Sequence, residues 1–150
     1  MKRIFSRPSV SSLIGFALVL LGFMVMTGWA PHVPTFITVP SQFVNMTFNA
    51  AFCFFMAGVA LVSLNFTYGP CKILFLCAIS GMFLVSGFTF LEYVLGYLFG
   101  VDHLFTGVWL LDQNPHLRHM AVNTTIAFLL ASIAFFLLAY TKNTIQTTTH

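Results

Sequence analysis

The chain has 150 residues, of which 59% are hydrophobic and only 6% charged, and its formal net charge is +3. Ordinary soluble domains carry about 25% charged residues, so a water-soluble globular class is excluded. The few positive charges form no basic run, which also excludes a nucleic-acid surface and a long polybasic lipid-binding tail.

Four apolar segments follow in chain order, at residues 12–30, 46–66, 73–99 and 120–140. Each is near or above the roughly 20 residues that cross about 30 Å of hydrocarbon. Lipid offers no partner to an unpaired backbone group, so each is expected to span as a helix. Lys2, Arg3 and Arg7 before the first segment imitate the basic region of a secretory signal. Bulky Trp29 and Pro31 around the small residues Gly28 and Ala30 argue against cleavage there and for a retained span. Gly69-Pro70 breaks the chain between the second and third segments. The third is long enough to tilt or to run its end along the interface.

Basic residues sort by side. Lys2, Arg3, Arg7, Lys72 and Lys142 fall on one side of the segments and Arg118 on the other, which places both termini and the turn at 65–72 in the cytoplasm. The loops at 31–45 and 100–119 then face outward. Residues 101–112 of the second loop, with Trp109 among apolar neighbours, read as a short interfacial segment. Cys53, Cys71 and Cys77 are odd in number, and two of them lie inside spans, so they read as small packing residues rather than a disulfide framework.

An internal repeat organises these spans. Met46-Thr-Phe-Asn49-Ala-Ala-Phe-Cys-Phe54-Phe-Met-Ala57-Gly58 returns 74 residues later as Met120-Ala-Val-Asn123-Thr-Thr-Ile-Ala-Phe128-Leu-Leu-Ala131-Ser132. The expected fold is therefore all-α: one membrane domain over residues 1–150, a four-helix bundle of two tandem hairpins related as parallel repeats. Gly15 and Gly22, and likewise Ser80 and Gly87, are seven apart, a spacing that suits shallow left-handed packing within the molecule rather than a dimer interface. Gly96 and Gly100 have the small-xxx-small form at a span end, where they mark a chain turn.

Glu92 is the outstanding polar residue, because a carboxyl group at membrane depth is costly and serves a function by default. If the third span ends near Leu98, Glu92 lies about 9 Å inside that end, at a depth shared with Asn49 and Asn123. A polar cluster of Glu92, Asn49, Asn123, Thr89, Thr124 and Thr125 is expected, with Asp102 and Arg118 from the outer loop. It either fixes helix packing or forms the floor of an outward-facing ligand pocket. His116 and His119 stand at i and i+3, and with His103 they offer a metal site at the outer surface. Pro115 and Arg118 interrupt the pattern, and headgroup contact is the simpler role. Axial haem histidines are excluded, since no histidine lies within a span. Gly-rich phosphate loops, nucleophile elbows and HExxH are absent, so no catalytic residue and no cofactor is expected, and four short spans with one acid leave little room for alternating access.

The order Leu91-Glu92-Tyr93, Gly96, Leu98-Phe-Gly100-Val-Asp102-His103-Leu-Phe105, Arg118-His-Met120-Ala-Val122-Asn123-Thr124 resembles the N-terminal membrane region of bacterial hybrid histidine kinases and diguanylate cyclases that carry PAS modules. Gly28-Trp29 and the stretch from Met46 extend the likeness over residues 12–140. Val122, Thr125 and His103 depart from the family pattern, and the chain ends without a coiled coil or output module. The resemblance implies a stand-alone relative that acts through a partner, or a fragment of a longer sensor, in a bacterial inner membrane. The resulting expectation is a small non-catalytic protein of sensor-input type that binds a hydrophobic or membrane-borne cue or a protein partner. The alternatives are an accessory subunit of a larger respiratory or secretion complex and, third, outer-surface metal binding. Expected partners are membrane lipid and other membrane proteins or a second copy, with no nucleic acid.

Overall fold

The computed structural model describes residues 10–29, 46–65, 69–96 and 120–148, and there the chain is helical with no strand. Four helices follow in order: α1 (Val10–Trp29), α2 (Phe48–Ser63), α3 (Gly69–Leu95) and α4 (Val122–Thr148). The expected interfacial segment at 101–112, with Trp109, lies outside the described residues.

Local chemistry sets the helix ends. Thr47 is extended and its side chain accepts a hydrogen bond from the Ala50 N–H at 3.4 Å, an N-cap that starts α2 at Phe48. At its other end the Asn65 side-chain amide donates to the Leu61 carbonyl at 3.0 Å and meets the Ser11 hydroxyl of α1 at 3.2 Å. Gly69-Pro70 opens α3 instead of merely separating two spans. Proline fits a first helical turn because the N–H it lacks has no intrahelical partner there, so α3 starts four residues before the apolar run at 73. Gly96, at φ 66°, closes α3 by donating its N–H to the Glu92 carbonyl at 3.0 Å. That is the left-handed terminus glycine makes cheaply.

α1, α3 and α4 are long and apolar enough to cross a membrane. With 16 residues, α2 is shorter than the stretch at 46–66 led one to expect, because its caps, Thr47 and Leu64, lie inside that stretch. Its length of about 24 Å falls short of a full hydrocarbon thickness by itself.

α2 is the hub of the packing, in contact with α1, α3 and α4, while α3 also packs on α4. No helix other than α2 meets α1 to a comparable extent, so α1 flanks a three-helix group and does not complete a closed ring of four. Gly15 faces Gly58 and Gly22 faces Ala51, an antiparallel approach with backbone against backbone. Ala50, Cys53 and Ala57 of α2 join Met82 and Val85 of α3 and Met120 and Phe128 beside and on α4 in one core. Ala60, Phe75, Ala78 and Ile79 form another, farther along the same antiparallel pair. Ser80 and Gly87 do not repeat the close approach of Gly15 and Gly22. Ser80 is exposed, and a methyl group at Gly87 would meet nothing nearer than Leu129 Cδ1 at 3.8 Å.

Candidate functional site: a buried acid at the end of α3

Ser86, Thr89 and Glu92 recur every three residues, a spacing that keeps them on neighbouring lines of one helix face, and all three are buried. They continue the inner face of α3 beyond Met82 and Val85 toward its C-terminal end. The Ser86 hydroxyl donates to the Met82 carbonyl at 2.7 Å, and the Thr89 hydroxyl to the Val85 carbonyl at 2.9 Å. On α4, the fully buried Thr125 donates to the Ala121 carbonyl at 3.1 Å. Each hydroxyl thereby satisfies its own proton within its own helix.

Glu92 is different. It is 7% exposed, and both carboxyl oxygens are buried with no hydrogen-bond partner. An unpaired buried acceptor is uncommon enough to require a reason. Glu92 lies three residues before the last residue of α3, about 4.5 Å along the axis, half the depth expected from a span ending near Leu98. Its neighbour Tyr93 donates its hydroxyl to the Met120 carbonyl at 2.6 Å, which ties the end of α3 to the start of α4.

Asn49 is buried, 2% exposed. The register that groups Cys53 with Met82 and Val85 carries Asn49, one turn along α2, to about the level of Thr89. The Tyr93–Met120 bond and the Gly87–Leu129 approach likewise bring Thr125 of α4 to the level between Thr89 and Glu92. Asn123 is exposed, which corrects the expectation that both carboxamides enter one site. Two residues along a helix turn the side chain by about 200°, so with Thr125 inward Asn123 points away, and Thr124 between them is half-buried. Ser86 is the residue that sequence reasoning passed over, although its three-residue spacing to Thr89 was a usable signal.

Asp102, Arg118, His103, His116 and His119 lie outside the described residues. Among the described residues no group of three or more His, Cys, Asp or Glu side chains is placed to hold a metal. A groove of about 540 Å³ opens between α3 and α4, lined by apolar side chains such as Leu76, Phe83 and Phe136 together with Ser80 and Ser132. Its lining residue on α3 nearest in sequence to Glu92 is Leu84, eight positions before it and about 12 Å away along the axis. No family model matches the chain, and no curated protein or solved structure matches it.

Proposed function

We propose that this is a non-catalytic input module of a bacterial inner membrane, crossing it four times, with Glu92 as the ligand-binding group of a small polar site near the outer face. The observation that carries this reading is the Glu92 carboxyl group, out of water with both oxygens unpartnered. A group that only locked helices together would be expected to show its bond across the interface. Four crossings are supported by direction: α1 and α3 both run antiparallel to α2, so two parallel crossings need α2 as the return. Enclosed by α1, α3 and α4, α2 tolerates its short length because protein covers much of its surface. The sorting of basic residues supports cytoplasmic termini and an outer position for Glu92. The signal would pass to a partner in the membrane through the apolar helix faces.

Hydrogen exchange of the protein in nanodiscs, with and without lipid extract from its own cells, tests this reading. Amides around Glu92 at the end of α3 and around Thr125 in α4 are expected to slow with extract in the wild type and to be unaffected in Glu92→Gln. Equal protection in both proteins would overturn it. Co-purification at fixed stoichiometry with a large membrane assembly, together with an indifferent Glu92→Gln variant, would identify an accessory subunit instead.

A further inference from the structure

We propose that Glu92 receives a primary ammonium group, from a lipid headgroup or from a free amine; this rests on the reading of Glu92 as a ligand-binding residue. The hydroxyls on the flanking turns act as acceptors, while the carboxamide of buried Asn49, at about the level of Thr89, carries N–H donors as well as an acceptor oxygen. Ser86, Thr89 and Thr125 donate their hydroxyl protons to main-chain carbonyls of their own helices, so each has lone pairs and no proton left to offer. The Glu92 carboxylate adds two acceptor oxygens without a donor.

Position adds an electrostatic preference. Glu92 sits in the last turn of α3, whose closing glycine follows at position 96. Terminal carbonyls give a helix C-terminus negative partial charge, an end that favours cations and disfavours anions. A carboxylate there, out of water, is costly without a counter-charge, and a bound cation supplies one. Lys72, at the opposite end of the same helix, is about 30 Å away along the axis, too far to neutralise it.

Charge and geometry select the cation. A multivalent metal would need several anionic or imidazole ligands, and no such group occurs among the described residues. An ammonium group carries one charge and three N–H donors, which matches two carboxylate oxygens and one hydroxyl through charge-assisted bonds.

The test uses the full chain in phosphatidylcholine nanodiscs, whose headgroups carry no N–H. The melting temperature is followed by circular dichroism during titration with methylammonium chloride, with tetramethylammonium chloride holding ionic strength constant. A ligand that binds only the folded protein raises its stability saturably. The expected result is such a rise in the wild type, its loss in Glu92→Gln, and a several-fold weaker apparent affinity in Thr89→Val, which keeps the carboxylate. In phosphatidylethanolamine nanodiscs, a rise without added amine identifies the lipid as the source, and an undiminished methylammonium response identifies a free amine.

No saturable rise in either disc, an equal rise in Glu92→Gln, or an equal rise with sodium chloride overturns the ammonium assignment. If methylammonium is inert while native lipid extract still protects the wild type and not Glu92→Gln, the assignment alone fails and the input-module reading stands.

Discussion

The buried, unpartnered Glu92 carboxyl group is expected to cost the fold stability. Taking an acceptor out of water with nothing to bond it costs about 1–3 kcal/mol, whereas an apolar group of similar shape in the same place avoids that cost. Glu92→Met, close in length and without a carboxylate, is therefore expected to stabilise the fold by about 1–3 kcal/mol and to abolish every ligand response. Unfolding midpoints in matched detergent give the first quantity and the nanodisc titration the second. A variant that gains stability and loses response has the signature of a functional group retained against the interest of the fold. Glu92 and Thr89 were legible in the sequence because polar side chains are conspicuous in an apolar span. The separate fates of Asn49 and Asn123 were not. Both open a span after a methionine three residues earlier, and only the rotational setting of α4, fixed by Thr125 and Phe128 turning inward, shows that Asn123 points out.

At the scale of the element, glycine decides how near two helices come. A Cβ at position 58 would lie 2.5 Å from the Gly15 carbonyl oxygen and 2.7 Å from the Val19 nitrogen, both of them backbone atoms that no rotamer change can move. Gly58→Ala must therefore push α1 away from α2, at an expected cost of about 1–3 kcal/mol. Gly87→Ala meets only a flexible leucine methyl at 3.8 Å, so it is expected to be neutral or to gain up to about 1 kcal/mol from helix propensity. Parallel melting of the two variants checks the contrast, and equal effects would show that the α1–α2 contact is looser than described. The heptad spacing of Gly15 and Gly22 announced this contact in the sequence. The same spacing at Ser80 and Gly87 misled, because spacing does not tell which face a helix turns to its neighbour. The end of α3 was legible only in part, because Gly96 was read as marking a chain turn while the span was carried on to near Leu98, and the helix stops at Leu95. Gly69-Pro70 was read as a break and two separate helices do meet there, but which helix takes the pair was not legible, and it opens α3.

At the scale of the molecule, the helices of the described residues were expected from composition, because segments apolar enough for lipid have few alternatives to a helix there. The arrangement of the helices was less visible. The four described helices are consistent with the expected bundle, and α1 joins it through α2 because the close approach at Gly15, Gly22 and Gly58 commits its small-residue face to one partner. One ring contact joins α2 and α4. Phe54 and Phe128, which occupy matching positions in the two halves, pack edge to face with ring centroids 4.9 Å apart. Matching residues that touch lie close to any axis relating the halves, so this pair reports directly on whether α2 and α4 meet. A double-mutant cycle with Phe54→Leu and Phe128→Leu preserves apolar volume while removing the ring geometry. Edge-to-face pairs contribute about 0.5–1.5 kcal/mol beyond their buried area, and a coupling of that size is expected in the cycle. The pair Phe75 and Phe135, within the α3–α4 hairpin at 6.4 Å, provides the internal comparison. Coupling for Phe75 and Phe135 with none for Phe54 and Phe128 would mean that the hairpins fold without meeting along α2 and α4. The level shared by Asn49, Thr125 and Glu92 would then lose its structural basis.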